Sequence, residues 1–441
     1  MGRIVSYLFF TSLLLASAVG TRAQSVADTG LRNATLAGCV QYALAHQPLI
    51  QQSLLDEEIT EKQIQTRLAD WYPQLNLSYN LQHSFELPTA LVGGSYVRTG
   101  ATNASNVGFN LTQNLFNKDA LFASRTKDDY RKRASQNTSL NKIDIAVSVS
   151  KAFFDVLLSQ KQLSVLEQAI TRLQRSLKDA VSQYRSGVVD KTDYKRATIA
   201  LNNTKAQHKQ STELVVAKLS YLKQLMGLSD SSWLDLYYDT SQLEKDVFLD
   251  TTMHVRAENR MEYVQLQTQQ RLQEATVRYY QWSYVPSVSA FGNYNIGYLN
   301  DEFFKTYTNS FPNSNAGITL AMPIFQGKKR IHQVKQAQLE LKRLGWEMIA
   351  LRQRVNTQFD LALSVYKSNV YNFYSLKENV ELADDVYKTL DLQYRSGIRP
   401  YLDVITAESD LRSAQLNLYS ALFQVIQSKL EVEKALGLIQ Y

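Results

Sequence analysis

Polar and apolar side chains alternate through Gln74-Leu75-Asn76-Leu77-Ser78-Tyr79-Asn80-Leu81, the period-2 pattern of a strand with one wet and one dry face. The pattern returns in Val107-Gly108-Phe109-Asn110-Leu111-Thr112-Gln113, in Ser287-Val288-Ser289-Ala290-Phe291-Gly292-Asn293-Tyr294 and in Gly317-Ile318-Thr319-Leu320-Ala321. Four strands in two hairpins are expected, over residues 74–114 and 287–323, the first closed by a Gly/Ser/Thr/Asn-rich loop. Elsewhere the apolar spacing is helical. Residues 35–70 predict one helix with Thr35 as its N-cap. It ends before Pro73, because the residue preceding a proline is pushed out of the helical region, and Pro286 marks the matching junction in the other half. A very long helix follows each hairpin, at 119–185 and 328–395. At 1.5 Å per residue each spans about 100 Å. Val156, Leu163, Leu166, Ile170, Leu173, Leu177, Ala180 and Tyr184 step by threes, fours and sevens, as in a coiled coil. Gly187 and Gly397 then break the helices as left-handed C-terminal residues. Shorter helices follow at 190–226 and 400–436, the latter with Pro400 at a favoured first position. Laid end to end, the two shorter helices of one half match the reach of its long helix.

The two halves are related in sequence as well as in pattern. Tyr184-Arg185-Ser186-Gly187-Val188 recurs as Tyr394-Arg395-Ser396-Gly397-Ile398, an offset of 210 that also relates Asp193 to Asp403, Ala197 to Ala407 and Leu201 to Leu411. Trp71-Tyr72-Pro73-Gln74-Leu75 answers Tyr284-Val285-Pro286-Ser287-Val288. The expectation is a tandem duplication, with a first repeat at 24–228, a linker or equatorial segment at 229–254 and a second repeat at 255–441. Residues 1–23 read as a secretory signal peptide, with Arg3, an apolar run and then small residues; cleavage after Ala18 or Ala23 fits.

Composition sharpens this picture. Only 17 Gly and 7 Pro in 441 residues leave few turns, which favours long helices over an all-β sandwich. Removal of the signal peptide takes away Arg3 and Arg22 and lowers the net charge from +7 to +5, too mild and too dispersed for nucleic-acid binding. The single cysteine excludes an internal disulfide framework. Leu36-Ala37-Gly38-Cys39 has the letters of a lipoprotein box, but a polar stretch separates it from the hydrophobic run, so Cys39 is expected as a small apolar helix residue. Past the signal peptide no run of about 18 apolar residues occurs. His46, His83, His208, His254 and His332 are scattered, and neither a metal-binding helix motif nor a phosphate loop is present. No enzyme, cofactor or metal is therefore expected. Gly327-Lys328-Lys329-Arg330 reads as the solvated or headgroup-facing start of a long helix.

Four strands cannot close a membrane barrel, since the smallest have eight, and open edges are not viable in lipid. Three copies give twelve. The expected architecture is mostly α with a small β part: a trimeric α-helical coiled-coil barrel joined to a 12-stranded transmembrane β-barrel. Tyr79, Phe85, Phe109, Phe116, Phe291 and Tyr298 would then suit an aromatic girdle.

The duplication, the Trp71-Tyr72-Pro73-Gln74-Leu75 junction, the paired Tyr-x-x-Gly turns and the helix starts at Asp193 and Asp403 together resemble the TolC-like outer-membrane efflux channel family over residues 35–441. That resemblance implies a homotrimer in the outer membrane of a Gram-negative bacterium, in contact with outer-membrane lipid and extending into the periplasm. It would dock a periplasmic adaptor (membrane fusion protein) and an inner-membrane pump, and bind no nucleic acid. It implies a tip held closed by a tether of Tyr394 and Arg399 on one coiled coil to Thr192 and Asp193 on another, with the pore constricted at Asp403. Thr406 stands where a second acidic position often lies. The chain departs from lipidated branches in having no anchor at its mature N-terminus, and it ends soon after the last helix. The competing expectation is a secreted coiled-coil scaffold or pump adaptor, which would not need two hairpins at matching places. The substrate, drug, metal ion or polypeptide, is not legible.

Overall fold

A computed structural model describes residues 31–238 and 248–439; the signal-peptide expectation at 1–23 and part of the 229–254 linker lie outside the described residues. Strand β1 (Leu31–Ala34) leads into α1 (Leu36–His46), where the Thr35 hydroxyl accepts the Gly38 N–H at 3.2 Å. The single helix expected at 35–70 is divided. Gln47, which precedes Pro48, takes φ −66° and ψ 125°, and α2 (Pro48–Leu68) restarts with the proline in its first turn. The effect of proline on its predecessor, invoked at Pro73, operates here first. A short 3-10 turn (Ala69–Trp71) then delivers the chain to β2 (Gln74–His83).

The connection after β2 is not a bare loop. β3 (Thr89–Val92) and β4 (Ser95–Arg98) form a small hairpin across Gly93 and Gly94, both at positive φ, the turn whose twist matches paired strands. β5 (Asn103–Phe116) returns along β2. α3 (Lys118–Arg185) follows, its first turn capped by the Asn117 side chain, which accepts from Asp119 N at 2.7 Å. α4 (Lys191–Met226) and β6 (Leu234–Leu236), the latter parallel to β1, complete the first half. The second half holds α5 (Met261–Gln281), β7 (Ser287–Asn300), β8 (Ser310–Ala321), α6 (Lys329–Arg395) and α7 (Tyr401–Leu436). Helix α7 starts one residue later than its spacing predicts. Pro400, at ψ 155°, is the N-cap rather than the first helical residue.

The four long strands make one antiparallel sheet in the order β2-β5-β7-β8. The two hairpins join edge to edge through β5 and β7, and β2 and β8 are left as edges. Helix α3 packs against α2 and α4 in succession, α6 against α5 and α7, and α3 also lies against α5 and α7. The main core sits where the middle of α3 (Val149, Phe153, Val156) meets α1, the ends of α4 (Leu222, Met226) and α7 (Val425), and β1. Cys39 is fully buried there, as a helix residue. Among the described residues no helix is long and apolar enough to cross a membrane.

Candidate functional site

The far end of the helices is built from two copies of one turn. At Gly187, φ 74°, the N–H bonds Tyr184 O while Val188 N bonds Gln183 O; at Gly397, φ 75°, the same pair runs to Tyr394 O and Gln393 O. Both are glycine-closed helix ends in which orphan carbonyls find the next two amides. The helices that restart differ. Asp190 caps α4, accepting from Thr192 N at 2.7 Å and from the Thr192 hydroxyl at 2.5 Å. These bonds hold the Asp190 carboxyl below its usual range. Pro400 offers α7 no side-chain cap.

The two tyrosines of the turns also part company. Tyr184 is exposed against Tyr194, whereas Tyr394 is 4% exposed and lies 5.4 Å from the Tyr401 ring. Ser176 on α3 donates to the Tyr401 hydroxyl at 3.2 Å. The Tyr394 hydroxyl is buried without a hydrogen-bond partner among the described residues, and burial followed by the nearby Asp193 charge pushes it up to about 12. Arg399, two residues ahead of α7, is exposed and reaches Asp403 in the first turn of that helix at 3.6 Å. Asp193 is half-buried, and exposed Thr406 returns its hydroxyl to Leu402 O at 2.9 Å. Within one chain the fold thus places Tyr394 beside the Asp193 charge and Arg399 beside Asp403. It does not join Arg399 to Thr192, whose hydroxyl serves the α4 cap.

One buried charge cluster escaped the sequence reading. Glu408, 2% exposed, accepts from Arg172 of α3 at 3.2 Å and from Arg412 of α7 at 3.1 Å. Arg412 also donates to Thr204 of α4 at 2.7 Å, and Arg172 lies 5.6 Å from the Tyr387 ring of α6. Side chains of four helices meet in this cluster, five residues beyond Asp403, with two of the helices bonding the carboxylate itself. The signal available in sequence was a lone acid on the apolar stripe Val404-Ala407-Leu411, at a position whose counterpart 210 residues earlier is Thr198.

At the opposite end the sheet has two unlike faces. Leu75, Leu77 and Tyr79 stand opposite Leu111, Phe109 and Val107, and these opposite Gly292, Tyr294 and Ile296. This apolar face is open, with Leu75 68% and Ile318 70% exposed. Tyr79, Phe109 and Tyr298 belong to it, and a register shift after Asn114 turns Phe116 onto it. Phe291 does not. Its register with Thr112 and Gly317 puts it on the polar face, where a Cβ on Gly317 would come within 3.0 Å of its ring, so it leaves the proposed girdle. Nor is Arg330 a solvated helix start. It is buried under the sheet, donating to Gln326 Oε1 at 3.1 Å and to Pro323 O, with the Tyr284 ring 4.9 Å away. Pro73 and Pro286 both lie at the junctions immediately before β2 and β7.

A family profile described as Outer membrane efflux protein matches residues 39–228 and 255–438. Outer membrane protein TolC of Escherichia coli K12 is 20% identical over 405 residues, 90% of this chain and 81% of that protein. Its namesake in Vibrio cholerae is 19% identical over 371 residues, 83% of this chain and 82% of that protein. Among solved structures, CusC matches with a TM-score of 0.73 at 14% identity, covering 92% of this chain and 93% of CusC. The outer membrane protein VceC of Vibrio cholerae matches with a TM-score of 0.72 at 14% identity, covering 91% of this chain and 96% of VceC. At these identities the structural likeness is one of fold.

Proposed function

The chain belongs to the outer membrane efflux protein family, that of the TolC-like channels, and on that premise we propose that it is the outer-membrane channel-tunnel of a tripartite efflux or type I secretion system. Three copies close a 12-stranded barrel in the outer membrane, continued into the periplasm by a helical tube that a periplasmic adaptor joins to an inner-membrane pump. Small molecules or polypeptides pass through it to the outside. The observation that carries this proposal is the four-stranded sheet: one face is apolar and exposed, and strands β2 and β8 are unpaired on their outer edges. A soluble scaffold would have to hide both features, whereas a closed barrel in lipid uses both. The tandem duplication read from the sequence supports six similar hairpins around the axis.

At the tip, we infer that Asp403 of three chains forms the constriction and that Tyr394 and Arg399 tether one coiled coil to Thr192 and Asp193 of a neighbouring one. Exposed Arg399, two residues ahead of α7, supports a contact made with a neighbouring coiled coil on assembly, while the buried Tyr394 hydroxyl lies beside the Asp193 charge of its own chain. Exposed contacts of this kind are each worth only about 0.2–1 kcal/mol, weak enough for a partner to release. Two measurements test the proposal. The outer-membrane fraction should yield a detergent-stable trimer, and a soluble monomer would refute the channel. In planar bilayers Arg399→Ser with Tyr394→Phe should raise conductance, Asp403→Ala should lower cation selectivity and Thr406→Asp should raise it. If Asp193→Ala moves selectivity and Asp403→Ala does not, the roles of the two turns are exchanged.

A further inference from the structure

On the face of the sheet opposite the leucines, Asn76, Asn110, Asn293 and Asn315 stand directly across from one another on all four strands. With strands about 4.8 Å apart, this row of amides crosses about 14 Å of one chain. One step further along the same face, Ser78, Gly108, Asn295 and Asn313 form a second row, and the next begins with Asn80 and Asn106. The side chains bond along the rows: Asn293 Nδ2 donates to Asn315 Oδ1 at 2.9 Å and Asn295 Nδ2 to Asn313 Oδ1 at 3.2 Å, while Asn110 Nδ2 reaches Ser78 Oγ at 3.3 Å. The glycine in the second row makes room for this. A Cβ at Gly108 would lie 2.6 Å from Asn295 Oδ1 and 2.8 Å from Ser78 Oγ, so an alanine there would displace the amide beside it. Strands β2, β5, β7 and β8 contain no Asp, Glu, Lys or Arg.

We propose that the barrel lumen is a charge-free passage belted by asparagine amides, which admits hydrated solutes of either sign and leaves charge selection to the helical end of the tube. This rests on the trimeric channel proposed above. The direction of the belt follows from strand geometry: successive side chains point to opposite faces, so a barrel that turns Leu75, Leu77, Phe109 and Leu111 to lipid must turn Asn76, Asn110, Asn293 and Asn315 inward. An amide presents both a donor and an acceptor, so it can hydrate a cation or an anion. Pores that discriminate by charge do so with rings of ionised side chains.

The full-length protein permits a direct test, because its one native thiol is silent: Cys39 is fully buried and burial pushes it up to about 11, far from the exposed thiolate that reagents need. Asn110→Cys, Asn293→Cys and Leu111→Cys trimers in planar bilayers are treated with small water-soluble methanethiosulfonates carrying a positive or a negative charge. At positions 110 and 293 both reagents should react and move the reversal potential in opposite directions. At position 111 neither should act. Asn110→Asp should raise the cation-to-anion permeability ratio severalfold; should that variant not assemble, Asn293→Cys modified after assembly gives the same reading. Reaction at 111 with silence at 110 and 293 overturns the inference, as does a conducting channel whose reversal potential ignores charge placed at these positions. Absence of conductance from the unsubstituted trimer overturns the channel proposal, and this inference with it.

Discussion

Glu408→Ala would remove the carboxylate that Arg172, Arg412 and, through Arg412, Thr204 converge on, leaving two guanidiniums turned toward each other among four helices. Breaking a buried ion pair by deleting one partner costs about 3–5 kcal/mol. The guanidinium side chains keep 21% and 17% of their surface in contact with solvent, so water will screen part of the repulsion and the low end, about 3 kcal/mol, applies. That energy should appear as easier local opening of the start of α7, where Val404, Ala407 and Leu411 are buried. At about 1.4 kcal/mol per factor of ten, amide hydrogen exchange over residues 404–411 should accelerate roughly 100-fold, measured by mass spectrometry on the purified protein in detergent. Glu408→Gln, which keeps the shape but loses a hydrogen-bonded charge, should fall between. Lys209→Ala removes an exposed pair with Glu213, whose side chains are 75% and 63% exposed; it should change local exchange by no more than about twofold. Replacing Arg172 and Arg412 by methionine together with Glu408→Leu should restore most of the protection, since apolar side chains of similar volume substitute well for buried ions. Exchange in Glu408→Ala within twofold of the parent, or a triple variant that exchanges faster than Glu408→Ala, would mean that the buried carboxylate does not hold the start of α7.

Two further outcomes follow from the turns. Gly187→Ala, at φ 74° with open space around it, should cost only the strain of a left-handed alanine, about 1–2 kcal/mol; Gly227→Ala and Gly437→Ala, at φ 73°, should each cost more, because their Cβ atoms would also lie 2.7 Å from His46 O and 2.9 Å from Asn259 O, a ranking readable from thermal melts. The tip should also weaken in base. A tyrosine held neutral up to about 12, as Tyr394 is by burial and Asp193, stabilises the fold fully below the ordinary tyrosine value near 10, and that contribution falls as pH rises from there toward about 12. Limited proteolysis at the turn across this range should show the loss, and Tyr394→Phe should abolish that part of the pH dependence.

Helix ends and strand faces were legible from neighbouring residues alone. Gly187 and Gly397 close their helices because only the nearest carbonyls and a left-handed residue are involved, and Asn117 and Asp190 cap theirs with amides two or three residues away. The alternation in β2 and β7 showed a wet and a dry face before any pairing was known. Even the division at Pro48 and the Gly93-Gly94 hairpin were within reach of the same rules, hidden because helical spacing continues across the first and a polar composition masks the second. Other features depend on partners far along the chain. The pairing of β5 with β7 joins the two hairpins into one sheet and aligns Asn110 with Asn293, and nothing in either strand alone specifies that edge. Tyr394 and Tyr184 carry the same motif, yet Tyr394 is buried beside Tyr401 and Tyr184 is exposed. Glu408 meets Arg172 across 236 residues of sequence. A turn or a cap is settled by groups a few bonds apart, but the worth of a buried charge or an amide row is set by which distant surface the packing brings against it, and that is a property of the folded chain as a whole.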